Sequence, residues 1–305
     1  MKECKNPSKI TEAAIPSSAR RGKMGSMLPH VFLISAIFLT FYPFAFMFIT
    51  SLKDTDQFIA NFWGLSLPLH WENYRIAWEA IGKYVLNSVI VSACSVVGVL
   101  IVSSVAGYAF ARHKFPGSTF LFYCLLSLMM VPSVLTLISS FMWMKQFPLV
   151  GGNNWLGQGG TGFLNTHLAL ILPYISGGQV FAIFILRSFI AALPEELFEA
   201  ARIDGASEMQ SFWSIVIPLS KPILGTVAIM TLIGTWNDYV WPLLVLQDDS
   251  LKTLAIGLAS FRGEYVTSYG PLMAGYTLAC IPLLVLFLFT MKYFVEGLTA
   301  GALKA

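Results

Sequence analysis

The chain has 305 residues, of which 56% are hydrophobic and only 11% are Asp, Glu, Lys or Arg. That excludes an ordinary soluble domain, and runs of about 20 apolar residues point to a helical membrane protein. The net charge of +3 is too small to argue for nucleic acid, and Cys4, Cys94, Cys124 and Cys280 show no paired spacing that would suggest a disulfide framework or a zinc site.

Residues 1–26 are polar and basic, with Lys2, Lys5, Lys9, Arg20, Arg21 and Lys23. Pro7, Pro16 and several Ser predict a mostly disordered tail, and no cleavable signal peptide is read there. The first span is expected at residues 28–51. Residues 52–83, expected to be an extracytoplasmic segment, carry scattered charges and the aromatics Phe58, Phe62, Trp63, Trp71, Tyr74 and Trp78, which suit a membrane interface or a surface against other protein. A second span is expected at 84–110, closed by Arg112, His113 and Lys114, and a third at 118–144, interrupted by Pro132. Residues 149–162 are rich in Gly and Asn, which is loop chemistry. The fourth, fifth and sixth spans fall at about 166–190, 223–246 and 269–291. A polar loop is predicted over 247–268, and a small, flexible tail closes the chain after 291. The fold class predicted is all-α and polytopic, with six transmembrane helices and a core over 84–291.

Six spans put both termini on one side. Thirteen of the 19 Lys and Arg residues then lie on the terminal side, which places that side in the cytoplasm.

Between the fourth and fifth spans lies a charged island, residues 193–222. It carries Glu195, Glu196, Glu199, Arg202, Asp204 and Glu208. Pro194 suits the first position of a helix, followed by acids in the first turn where the helix dipole favours them. Leu193, Leu197, Ala200 and Ala201 recur at helical spacing and predict one flat apolar face. Gly205 fits the residue just past the helix end. Ser207 and Gln210 have capping-box spacing for a second short helix, with Met209, Phe212, Trp213 and Val216 as its apolar stripe. Pro218 and Pro222 are expected to end it. Taken alone, this pattern also suits an ordinary cytoplasmic loop with two amphipathic helices.

The ordered run Glu199-Ala200-Ala201-Arg202-Ile203-Asp204-Gly205-Ala206, with Ile217-Pro218 beyond it, resembles the EAA loop of carbohydrate ABC-importer permeases. Glu72-Asn73-Tyr74, Asn87-Ser88, Trp236-Asn237-Asp238 and the stretch Tyr293–Gly301 resemble the maltose-type second permease. The resemblance covers nearly all of the chain from Leu28. The long basic N-terminal tail and the 149–162 stretch depart from it. It implies the type I importer fold with cytoplasmic coupling helices. Glu199, Ala200, Ala201, Arg202, Asp204, Gly205 and Pro218 would contact a cytoplasmic ATPase, and the C-terminal tail would meet the same ATPase pair. The implied partners are a second permease of the same fold, two ATPase subunits and an extracytoplasmic binding protein. The cargo would be a sugar or oligosaccharide, with glycerol phosphate as the competing solute. ATP and magnesium would be held by the partner ATPase, leaving no cofactor or enzymatic activity in this chain, in a bacterial or archaeal cytoplasmic membrane.

Ser176-Gly177-Gly178-Gln179 looks like an ABC ATPase signature, but the chain has no Gly-x-x-x-x-Gly-Lys phosphate loop. A small-residue break in a membrane helix, opening it or letting a neighbour close in, accounts for it better. Asp238 is the one acid predicted well inside a span, about 24 Å along a continuous helix from Pro222. With Asn237, Tyr239 and Gln179 it is a candidate pathway residue. An interfacial aromatic belt with a structural Asp fits Asp238 equally well, and Gln179 fits an interhelical hydrogen bond. An ion-coupled secondary transporter would require further charges near the midplane, and Asp238 alone comes close. A purely structural anchor would need no polar pathway residues.

Overall fold

A computed structural model of the chain describes residues 23–265 and 268–302. The basic residues before 23 and the last three residues lie outside the described part. Every regular element among the described residues is a helix. They are α1 (Lys23–Ser51), α2 (Thr55–Ala60), α3 (Glu72–Arg112), α4 (Ser118–Ser127), α5 (Ser133–Lys145), α6 (Leu168–Ala191), α7 (Glu195–Ile203), α8 (Glu208–Ser211), α9 (Ile217–Leu219), α10 (Lys221–Asn237), α11 (Val240–Val245), α12 (Leu254–Glu264) and α13 (Tyr269–Ala302).

The chain divides into Met1–Phe46 and Met47–Ala305. In the first unit, α1 displays Phe32, Ile34, Phe38 and Leu39 on its surface. Apolar side chains at this density belong in lipid or against another membrane subunit.

In the second unit α3 is the spine. Its Ala77, Ile81, Tyr84 and Val85 pack with Trp236, Leu254, Phe261, Leu272 and Ala274 of α10, α12 and α13. Further along, Val91 joins Leu170 and Trp241, Val99 joins Ala182 and Val227, and Tyr108 joins Leu186, Ile190 and Phe198. The α3–α6 seam is tight because small residues line it. A Cβ on Gly98 would come within 2.2 Å of Ile175 Cδ1, and one on Gly178 within 3.0 Å of Val99. Close approach of this kind is how helices associate where lipid supplies no hydrophobic drive. Gly178 therefore serves packing, Gly177 faces open space, and α6 is unbroken.

Other expectations are corrected. α3 begins at Glu72, well before residue 84, because Glu72, Arg75, Glu79 and Lys83 continue the helix as a polar extension. The third span is two helical pieces, residues 118–130 and 133–145, bent by 102°. Val131 is extended there, the conformation that Pro132 imposes on its predecessor. The loop predicted over 247–268 contains α12, whose Leu254, Ile256 and Phe261 are buried. α13 runs on helically to Ala302, past residue 291, so the backbone of 292–302 is not a loose tail. Three helices among the described residues are long and apolar enough to span a membrane, or five if each bent pair is one span. Tyr269–Val285 of α13 is a shorter apolar stretch.

Candidate functional site

The charged island folds as two short helices. α7 starts at Glu195, with Pro194 one position earlier than expected, as its N-cap. Gly205 has φ of +77°, the left-handed conformation that ends a helix most cheaply at glycine. Around it Ala206 N–H donates to Ala201 O at 2.9 Å and Gly205 N–H to Arg202 O at 3.1 Å. These are the paired bonds of a Schellman motif. Next, Gln210 N–H donates to Ser207 Oγ and Ser207 N–H to Gln210 Oε1, closing the capping box of α8.

The helix after Ser207 does not end at Pro218. A π-helical stretch over Phe212–Val216 leads into α9, and the chain turns by 74° at Ser220 into α10. The wider π turn admits Pro218, which has no N–H to donate.

The flat apolar face expected of Leu197 and Ala200 is turned outward, and a different residue carries the inward face of α7. Phe198 is the buried side chain, packed with Tyr108, Leu186, Ile190, Phe212 and Val216. Leu197 and Ala200 face outward, and Ala201 is half-buried. With Ile203 at 86% exposure, Met209 at 65% and Trp213 at 61%, they make an apolar surface rimmed by Glu196, Glu199, Arg202 and Asp204.

The candidate pathway residues are distributed differently from a continuous helix. α10 stops at Asn237, and Asp238 is extended at the break before α11. The Asp238 carboxylate accepts from Tyr174 Oη at 2.9 Å and from Trp241 N–H at 3.4 Å. It thereby holds an N–H of the first turn of α11 and ties the break to α6, an arrangement with a clear structural purpose. Trp241 Nε1 donates to Ala169 O at 2.9 Å and strengthens the same tie. Asn237 and Tyr239 beside it are exposed, and Gln179 on α6 is half-buried.

The model of the family described as "Binding-protein-dependent transport system inner membrane component" matches residues 100–299. The chain belongs to this family. It is a multi-pass, non-enzymatic permease subunit. Over 287 residues the permease is 35% identical to the probable ABC transporter permease YurM of Bacillus subtilis, covering 93% of this chain and 91% of that one. It is 34% identical to the arabinooligosaccharide permease AraQ of Halalkalibacterium halodurans (88% and 92% covered). It is 32% identical to the melibiose/raffinose/stachyose import permease MelC of Bacillus subtilis (87% and 91%). Its fold matches a chain of a bacterial ABC transporter involved in alginate import, with a TM-score of 0.76 at 20% identity, over 92% of this chain and 99% of that one.

The permease's other motifs are clamps. Asn73 Nδ2 donates to Ser51 O and Lys53 O, both at 2.9 Å, and Tyr74 Oη bonds Ser51 Oγ at 2.7 Å. This joins α1's end to α3's start. Asn87 Nδ2 donates to Ser250 O and Lys252 O, and Ser88 Oγ accepts from Leu254 N–H. Asn165, at φ of +59°, accepts from the N–H groups of Gln247 and Asp248.

Charged groups reinforce these clamps. Lys83 and Tyr84 donate to the Asp249 carboxylate and Lys252 sits 3.2 Å away, which holds Asp249 down at about 2. Lys53 is fully buried, and its ammonium donates to Asn61 O and Phe62 O at the end of α2. Desolvation pushes its pKa down.

Sequence reasoning missed Arg112. Its guanidinium donates to Ile190 O at 2.9 Å, to Leu193 O at 2.7 Å and to the Glu195 carboxylate, and lies over the Phe198 ring. As one of a basic trio after a span, Arg112 carried only a topology signal.

Proposed function

We propose that this permease forms half of the pore of an ATP-driven, binding-protein-dependent importer for a sugar or oligosaccharide. It takes up the energy of ATP through residues 193–222. The observation carrying this reading is the outward apolar surface of Leu197, Ala200 and Ile203, held on a frame fixed by Gly205 and the Ser207 cap. A small flat surface of this kind enters a cleft, and Glu199, Arg202 and Asp204 pair with charges at its rim. Pro218, in the turn after the π-helical stretch, sets the direction in which the chain re-enters the membrane. ATP and magnesium are held by the two cytoplasmic ATPase subunits. A second permease of the same fold completes the pore, and an extracytoplasmic binding protein delivers the cargo.

Both termini and the coupling helices lie in the cytoplasm of this reading, in keeping with the excess of Lys and Arg on their side. The end of α13 reaches toward the ATPase pair. Asn237, Asp238, Tyr239 and Gln179 line the pathway, since exposed amide and phenol groups beside an intramembrane acid suit a hydroxyl-rich cargo.

The carbohydrate assignment draws on the named cargo of AraQ and MelC. Its test is uptake by proteoliposomes containing the whole transporter and its binding protein. Labelled arabinooligosaccharide, raffinose and glycerol phosphate are offered in turn. Uptake of a saccharide is expected, and uptake of glycerol phosphate alone overturns the cargo while leaving the ATP-driven mechanism standing.

A further inference from the structure

Both coupling helices receive side-chain hydrogen bonds from one place, the last turns of α3. Tyr108 and Arg112 are four residues apart and so share one helix face. Tyr108 Oη donates to Glu208 Oε2 at 2.6 Å, at the start of α8, and its ring is buried against Phe212 at 5.5 Å. Arg112 reaches α7 through the Glu195 carboxylate and through the Phe198 ring, whose centroid lies 4.0 Å from Cζ. The same guanidinium takes the carbonyls of Ile190 and Leu193. Ile190 lies in the last turn of α6, and its carbonyl also accepts from Leu193 N–H at 3.2 Å. One side chain thus joins the ends of α3 and α6 to the start of α7, with only 11% of it exposed.

We propose that Tyr108 and Arg112 are the positioning residues through which displacement of the coupling helices is delivered to the membrane helices. The inference rests on residues 193–222 being the ATPase-docking element. Three features carry it further. The contacts are charge-assisted and forked, so they fix orientation as well as distance. α3 spans 41 residues, about 60 Å of helix, and packs into every core cluster, so movement at its end is not absorbed locally. The glycines at 98, 107 and 178 bring α3 and α6 close together, so both helices receive the same displacement.

The test uses the complete transporter: both permeases, the ATPase pair and the loaded binding protein in liposomes. Tyr108→Phe keeps the buried ring and removes one hydroxyl. Arg112→Met keeps the stem and removes the fork, and Arg112→Lys keeps only the charge. Uptake is expressed per assembled transporter, counted by co-purified ATPase. The expected result for Arg112→Met is a roughly tenfold fall in maximal uptake, with the half-saturating concentration of binding protein unchanged. Arg112→Lys falls between it and wild type, and Tyr108→Phe loses less. A merely structural role lowers the amount assembled and leaves uptake per transporter intact, and that result overturns the proposal. If Arg112→Met fails to assemble, wild-type uptake by both Tyr108→Phe and Arg112→Lys overturns it equally. An Ala200→Glu transporter that still retains its ATPase pair indicts the docking reading instead.

Discussion

The guanidinium of Arg112 lies over the ring of Phe198, Cζ 4.0 Å from the centroid. Phe198 is only 4% exposed, so the contact joins a cation at the end of α3 to the buried side of α7. Replacing Phe198 by Ala removes the ring that fixes the tilt of α7. A loss of about 3–5 kcal/mol of local stability is expected, as for other buried aromatics. Limited proteolysis should then cut between residues 193 and 222 while the membrane helices stay protected. Unchanged protection of that segment contradicts the packing described.

Gly205 faces open space, so its requirement is backbone alone. A β-branched residue at φ of +77° is expected to cost at least about 1–2 kcal/mol. Gly205→Val should lower transport while leaving membrane insertion intact. Gly205→Asn should retain most of it, because Asn tolerates the left-handed region. Equal transport by both variants at the wild-type rate removes the geometric argument.

Asp238 ties α10 and α11 to α6. Tyr174→Phe removes one donor from the carboxylate and is expected to cost about 1–3 kcal/mol, the range for a hydrogen bond to a charged group. Asp238→Ala should cost more, since Trp241 N–H also loses its acceptor. Thermal inactivation of the purified transporter should follow the order wild type, Tyr174→Phe, Asp238→Ala. A reversed order counts against this role.

The charge cluster around Asp249 has a defined pH window. Asp249 is held at about 2, chiefly by its hydrogen bond from Lys83. Its folded pKa is depressed, so its stabilisation is fully present above about pH 4 and lost as pH falls toward 2. Transport between about pH 5 and 8 should therefore be indifferent to this carboxylate. Because Asp249 is about half exposed, Asp249→Asn should cost less than about 1 kcal/mol. A steep stability change near neutral pH in wild type, absent from Asp249→Asn, contradicts this assignment.

The features that local chemistry encodes were legible in the sequence. Gly205, Ser207 and Gln210 act within a few residues of themselves, and their spacing is enough to place a helix end and a cap. The EAA run likewise identified the class of protein. What escaped depends on distant partners. Nothing near Phe198 says that Leu186 and Tyr108 wait behind it, so the buried face of α7 is not marked by its own sequence. The break at Asp238 lies four residues before Pro242, which has no N–H for the Asp238 carbonyl, but its partner Tyr174 is 64 residues away. α12 lies in a stretch whose charges, Asp248, Asp249, Lys252, Arg262 and Glu264, predict a loop. Its Gly257 is needed for close packing, since a Cβ there would meet the Tyr84 ring at 2.1 Å.

The central claim is that ATP energy reaches this permease through the outward face of α7. Ala200→Glu places a charged, bulky group in the middle of that face without touching the core. Co-purification of the ATPase pair, together with binding-protein-stimulated ATP hydrolysis, measures the consequence directly. The expected result is a permease pair that assembles in the membrane, loses its ATPase subunits and shows no stimulated hydrolysis. Retention of the ATPase pair with wild-type stimulated hydrolysis and uptake would contradict the claim.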